Sequence, residues 1–161
     1  MPALPAKLTT QQVIPSFYLP SAQGATVGPR TYQRRRNLVL FFFHDGQCRV
    51  CKELLVELAQ RYHDFHDANA EVLAISTVSA DQARKIVDDL RLPFPLLYDL
   101  AGTIVDRFTY FDPATGRPVP VIVVTDRFGA VYSTIQVDET QPPTAEDVLA
   151  WLRFIELQCP E

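Results

Sequence analysis

Residues 38–51 read LVLFFFHDGQCRVC and contain the strongest structural signals in the chain. Residues 38–43 are apolar without alternation, which is typical of a central parallel strand buried on both faces. Residues 44–47 separate this run from Cys48, and Val50, Leu54 and Leu58 then recur at helical spacing. The stretch therefore predicts a strand, a tight loop and a helix whose first turn carries Cys48 and Cys51.

These two cysteines, called the dithiol below, are placed for redox chemistry. The first N–H groups of a helix have no partner within the helix, and together they carry about half a unit of positive charge. A thiolate at this position is therefore stabilised, and Arg49 adds a cation beside it. The i, i+3 spacing brings the two sulfurs within reach of a disulfide. The pattern predicts a thiol-disulfide switch.

Two other interpretations of the dithiol are a structural zinc site and a pair of inert core cysteines. Zinc needs a second pair of ligands, for which the chain offers His44, His63, His66 and Cys159. His63 and His66 lie a turn or more beyond the dithiol, next to acidic residues, which favours a solvated helix face. We predict no metal and no organic cofactor.

The rest of the chain alternates between strand-like and helix-like segments. A short hairpin is predicted within residues 12–33, strands at 71–77, 121–125 and 130–137, and helices at 80–90, 101–108 and 144–157. The helix at 48–66 completes this set, and Ser79 is placed to cap the helix at 80–90. Alternating strands and helices predict an α/β fold of three layers.

Length and composition limit the function classes. The 161 residues suit a single domain, 1–161, of which we expect about 1–13 to be disordered. A net charge of −4 argues against nucleic acid or an anionic membrane as a partner. The longest apolar run, 38–43, is too short to span a bilayer. We see no secretory signal, and a reducing, cytoplasmic setting is the expectation.

Four segments together resemble the alkyl hydroperoxide reductase/thiol-specific antioxidant group, the peroxiredoxins, among the thioredoxin-fold redoxins. The segments are PSFYLP at 15–20 with Gly24, LVLFFF at 38–43 followed by the dithiol, LPFPLLYD at 92–99 and VIVVTDRFG at 121–129. The resemblance covers about residues 14–157. It implies a three-layer thioredoxin fold, with a central mixed sheet flanked by helices and an N-terminal hairpin extension.

The family offers two assignments for the dithiol. Peroxiredoxins carry Pro-x-x-x-Thr-x-x-Cys, and in that register His44 replaces the proline, Cys48 the threonine, and Cys51 is the peroxidatic cysteine. Thioredoxin-like reductases carry Cys-x-x-Cys, in which Cys48 attacks and Cys51 resolves. Peroxiredoxins also carry a later active-site arginine. Arg117 is the nearest candidate for it and lies three residues before the position that this register predicts. Pro120 falls where thioredoxin-like proteins hold a cis-proline facing the dithiol.

Thioredoxin-like proteins also bury an acidic residue in the strand before the dithiol, where it accepts the second thiol's proton. Here that strand is entirely apolar. The remaining candidates for accepting this proton are His44 or Asp45 in the loop, or water. An unperturbed histidine titrates near neutrality.

These observations give one leading function and two alternatives. The leading interpretation is a thiol-disulfide oxidoreductase acting on protein or small-molecule disulfides. The first alternative is a hydroperoxide-reducing peroxiredoxin, re-reduced by a thiol reductant such as a thioredoxin system. The second is a redox sensor without turnover. Cys159, near the C-terminus, is either a free thiol or a link to a second subunit in a homodimer.

Overall fold

The described residues, 5–158, form seven strands and four α-helices in the computed structural model. The strands are β1 Leu19–Pro20, β2 Thr26–Val27, β3 Asn37–Phe42, β4 Ala70–Ser76, β5 Leu96–Tyr98, β6 Val121–Thr125 and β7 Val131–Gln136. The helices are α1 Arg49–Gln60, α2 Tyr62–Asp67, α3 Ala80–Leu90 and α4 Ala145–Gln158.

Strands β3 to β7 make one mixed sheet in the order β5-β4-β3-β6-β7, and β1 and β2 pair as a separate hairpin. Strand β3 lies in the middle, parallel to β4 and antiparallel to β6. Every residue of β3 is buried, as its unbroken apolar run predicts. The predicted N-terminal hairpin and the hairpin of β6 and β7 are both present.

The sheet separates two hydrophobic cores. Val39 and Phe41 of β3 point to one side, where they pack with buried residues from all four α-helices. Leu40 and Phe42 point to the other side, because successive side chains of a strand alternate between its faces. That second core is closed by the N-terminal segment and by residues 105–108. Three layers therefore result, and the predicted fold class is confirmed.

The start of helix α3 follows from its sequence. Ser79 is the N-cap: its hydroxyl accepts the N–H of Gln82, and the Gln82 side chain accepts the N–H of Ser79. This reciprocal capping box satisfies two N–H groups that the helix itself leaves free. The predicted capping role of Ser79 is confirmed.

The predicted helix at 101–108 is wrong. Only a 3₁₀ turn, Val105–Arg107, forms there. Gly102 has φ of +78°, in the left-handed region, so a right-handed helix cannot run through it. The Asp99 carboxylate then accepts the N–H groups of Ile104 and Val105, at 2.8 and 2.9 Å, which fixes the turn.

Two further boundaries differ from the predictions. The helix predicted at 48–66 is divided at Arg61, which has φ of −102° and ψ of 12° and pairs with Asp64 and with Glu146 of α4. Strand β5 was not predicted, because the prolines at 93 and 95 exclude a helix without indicating a strand. It forms through pairing with β4, which only the tertiary fold supplies.

The N-terminal segment runs beside β7. The N–H of Gln11 donates to the carbonyl of Val131, Val13 bridges to Ala130, and Leu8 is buried in the second core. Across residues 5–158 we find no helix with the length and apolar character needed to cross a membrane.

Candidate dithiol active site

The candidate site lies at the carboxyl ends of β3 and β4, which meet at the same edge of the sheet. Ser76, the last residue of β4, donates its hydroxyl to the carbonyls of Phe43 and His44, at 2.7 and 3.2 Å. The N–H of Phe43 donates to the carbonyl of Ile75. These bonds fix the point where the chain leaves the sheet and enters residues 44–48, called the site loop below.

Asp45 organises the site loop. Its Oδ1 accepts the N–H groups of Gln47 and Cys48, at 2.9 and 3.0 Å. This is the local turn that a short carboxylate side chain supports. The turn holds the backbone of Cys48 at the entrance to α1, so the loop geometry depends on a side chain outside the dithiol.

Cys48 is the N-cap of α1. Its Sγ accepts the N–H of Cys51, at 3.4 Å, and its side chain is partly exposed to solvent. The sulfur thus takes the position in which serine or aspartate usually caps a helix. The sulfur therefore lies at the N-terminus of α1, beside N–H groups that the helix itself leaves without partners.

Cys51 lies one turn further along and has no exposed surface. Its Sγ accepts the N–H of His44, at 3.4 Å. Burial, and then the hydrogen bond that its thiol makes with Cys48, raise the pKa of Cys51. Cys51 therefore holds its proton at neutral pH.

His44 sits between the dithiol and residues 112–118. Its Nδ1 lies 3.4 Å from Oδ2 of Asp45, and its Nε2 lies 3.4 Å from the hydroxyl of Thr115. Arg117 approaches the same carboxylate, with Nε 3.7 Å from Oδ2 of Asp45. Asp45 consequently links the site loop to Arg117 in the segment 112–118.

Arg49 and Pro120 are the two other residues that the sequence analysis assigned to the site. Arg49 is the exposed first residue of α1, and its side chain forms no ion pair within residues 5–158. Pro120 precedes Val121, which pairs with Phe42, so it lies at the same end of β3 as the site loop. No peptide bond between described residues is cis, so the prediction of a cis-proline at Pro120 is wrong.

The zinc interpretation requires a second pair of ligands close to the dithiol. Among residues 5–158, no three His, Cys, Asp or Glu side chains are grouped as a metal site would need. His63 lies 3.3 Å from Asp67, and His66 lies 3.7 Å from Glu71, both away from the dithiol. Cys159 lies outside the described residues.

Three residues of this site have weak signals in the sequence. Ser76 gave no signal, because it was one polar residue at the end of a predicted strand. Asp45 and Arg117 were weighed, the first as a proton acceptor and the second as a misplaced family arginine. Their contact spans 72 residues of chain, and only the position of residues 112–118 beside the site loop reveals it.

The raised pKa of Cys51 predicts a pH-dependent stability of the reduced protein. A thiol in the unfolded chain ionises near pH ~8.5. Above that pH the unfolded chain releases a proton that folded Cys51 retains. The free energy of unfolding should then fall by about 1.4 kcal/mol per pH unit on account of this group, with no such slope below pH ~8.

The measurement is urea denaturation from pH ~7.5 to ~10, comparing Cys159→Ser with Cys51→Ser/Cys159→Ser, both reduced. The second variant should show a shallower alkaline decline. Burial beside Glu71 also raises the pKa of Tyr62, but that group acts only above pH ~10, where an unfolded tyrosine ionises, and it is present in both proteins. Equal slopes in the two proteins would show that Cys51 ionises normally in the folded state.

The fold and the site define a thioredoxin-fold protein with a dithiol at a helix N-terminus. The family model of the AhpC/TSA family matches residues 10–134. A Mycobacterium tuberculosis protein provisionally named a peroxiredoxin is 26% identical over 135 residues, covering 83% of this chain and 80% of its own. The thioredoxin-dependent peroxide reductase of Drosophila melanogaster mitochondria is 32% identical over 113 residues, covering 62% and 46%.

The fold is also that of a solved structure. The crystal structure of the peroxidoxin BcpB from Mycobacterium tuberculosis superposes with a TM-score of 0.82 at 23% identity, covering 91% of this chain and 97% of that one. The chain belongs to the AhpC/TSA family. The resemblance predicted from the sequence is confirmed, and so is the interpretation as a thiol-dependent oxidoreductase.

Proposed function

We propose that the protein is a dithiol oxidoreductase in which Cys48 attacks the substrate and Cys51 resolves the intermediate. One observation carries this assignment. Cys48 is partly exposed and caps a helix, whereas Cys51 has no exposed surface and its pKa is raised by burial. Because the thiolate is the nucleophile and must reach the substrate, the exposed cysteine is the better attacking group.

The reaction with a disulfide then has two exchange steps. The Cys48 thiolate attacks one substrate sulfur, which forms a mixed disulfide and expels the other substrate sulfur as a thiolate. Cys51 loses its proton and attacks the Cys48 sulfur, which releases the second substrate thiol and leaves a Cys48–Cys51 disulfide. The substrate gains two electrons and the dithiol loses them. No organic cofactor takes part.

Family membership favours a second candidate, the reduction of hydroperoxides. One thiolate attacks the O–O bond, becomes a sulfenic acid and releases water or an alcohol. The other thiol condenses with the sulfenic acid, releasing water and forming the same disulfide. The register of the family motif makes Cys51 the attacking residue here, and the burial of Cys51 opposes it. A thioredoxin-type thiol reductant would close either cycle.

Stopped-flow kinetics of the reduced protein separate the two candidates. The Cys159→Ser protein is mixed with hydrogen peroxide in one series and with glutathione disulfide in another, and loss of dithiol is followed. We expect rapid reaction with the disulfide, and a peroxide rate close to that of a free thiol. Peroxide oxidation orders of magnitude faster than a free thiol would assign the protein to the peroxidases instead.

Two finer predictions accompany the proposal. A homodimer joined through Cys159 would give a dimer band on a non-reducing gel that Cys159→Ser removes.

A cytoplasmic location follows from the requirement that the dithiol be kept reducible by cellular thiols, and cell fractionation checks it.

A further inference from the structure

A cavity of about 320 Å³ lies beside the site loop, between α1 and α3. Its inner wall is aliphatic and buried, and consists of Leu55, Val78 and Ile86. Charged side chains of Lys52, Lys85 and Asp89, all exposed, form its rim. Ligand pockets in proteins combine an apolar wall with polar groups that orient the ligand, and this cavity has both.

The charges at the rim leave one cation without a partner. Lys85 pairs with Asp89 at 3.1 Å, and Arg117, which also lines the cavity, approaches Asp45 at 3.7 Å. Lys52 forms no ion pair with any residue in 5–158. An aliphatic wall with an unpaired ammonium group at its edge matches a molecule that has an apolar chain and an anionic group.

The cavity also touches the part of the chain that holds the dithiol. Asp45, Gly46 and Gln47 of the site loop line it. A Cβ on Gly46 would lie 3.2 Å from Cδ1 of Ile86, so the loop backbone rests closely against the aliphatic wall. A bound molecule would therefore contact the loop whose Asp45 holds the N–H of Cys48.

We propose that this cavity binds the aliphatic, carboxylate-bearing part of the substrate whose reacting group meets Cys48. The inference rests on the proposed function, since it names the class of molecule on which the dithiol acts. Its volume is at the lower end of ligand pockets, about 300–1,000 Å³, which suits a short aliphatic chain.

Octanoate is the probe, and its binding needs no turnover. Isothermal titration calorimetry of the reduced Cys159→Ser protein should show saturable binding. Amide shifts in NMR should concentrate at residues 45–47, 52 and 85–90. Acetate, which lacks the chain, and octylammonium, which reverses the charge, should bind at least about tenfold more weakly. Equal binding of octanoate and octylammonium, or shifts spread over the surface, would overturn the proposal.

Two variants test the residues. Lys52→Gln should weaken octanoate binding about threefold to tenfold, as loss of a partly exposed ionic contact does. Arg30→Gln removes the same charge from an exposed position away from the cavity and should change nothing. Ile86→Phe fills the cavity and should abolish binding. Unchanged binding in both cavity variants would contradict the assignment, and if Ile86→Phe does not fold, Lys52→Gln decides alone.

The test separates this inference from the proposed function. If octanoate does not bind while the dithiol still exchanges with glutathione disulfide, the cavity proposal fails and the oxidoreductase stands. If octanoate binds with the expected preferences but replacing Cys48 leaves disulfide exchange unchanged, the assignment of the dithiol fails instead.

Discussion

Cys48→Ser is expected to lower the rate of disulfide exchange about a thousandfold or more, because it removes the attacking sulfur from the N-terminus of α1. Serine keeps the capping position, since its hydroxyl can accept the N–H of Cys51 as the sulfur does. The fold should therefore be retained, and the free energy of unfolding should change little. Both quantities are measured in the Cys159→Ser background, by stopped-flow kinetics and by urea denaturation.

Cys51→Ser is the matched variant and should behave differently. Cys48 still attacks glutathione disulfide, but the mixed disulfide is not resolved and accumulates. Mass spectrometry should show one glutathione bound per chain, which a thiol reductant removes. The roles are reversed if Cys51→Ser is inert and Cys48→Ser still reacts with peroxide to give a sulfenic acid. If neither replacement alters disulfide or peroxide reactivity, the dithiol is not the active site.

Phe43→Ala is expected to reduce the free energy of unfolding by about 3–5 kcal/mol. Phe43 has no exposed surface, and its ring centroid lies 5.9 Å from that of Phe41. Truncation leaves a cavity where β3 passes into the site loop. The hydrogen bonds of the Phe43 backbone, to the carbonyl of Ile75 and from the hydroxyl of Ser76, hold the backbone in place, so the cavity is not closed by a shift of the chain. Urea denaturation at neutral pH measures the loss.

Phe128→Ala is the control for this effect. Phe128 lies in the turn between β6 and β7 with 47% of its surface exposed, and the guanidinium of Arg127 lies over its ring, 5.3 Å from the centroid. Its replacement should cost no more than about 0.5 kcal/mol. A loss below about 1 kcal/mol in Phe43→Ala would mean that the core beside the site loop repacks freely, contrary to the close packing of the structure.

The sequence predicted β3, the start of α1 and the place of the dithiol at that start with little error. The reason is that these features depend on local patterns. Six consecutive apolar residues require burial on both faces, and helical spacing that begins near Cys48 predicts that the helix starts there; the structure has Cys48 as its N-cap. The capping box of Ser79 is equally local, since its two partners are three residues apart.

The sequence predictions that were wrong or missing concern features that local periodicity does not record. Strand β5 exists because β4 offers it backbone partners, and residues 101–108 do not form a helix because Gly102 and the Asp99 carboxylate impose a turn. The trans peptide bond at Pro120 could not be read from position alone. Each of these depends on a contact or a backbone angle that periodicity does not record.

Local patterns in the chain define the fold class and the position of the two cysteines at a helix N-terminus, because buried strands, helix starts and Cys-x-x-Cys spacing act over a few residues. Which cysteine is exposed and which is buried follows instead from the way α1 packs against the sheet, a long-range feature of the fold. The same holds for Arg117 beside Asp45 and for the cavity bounded by Lys52 and Ile86. These features join segments far apart in the chain, and folding alone brings them together.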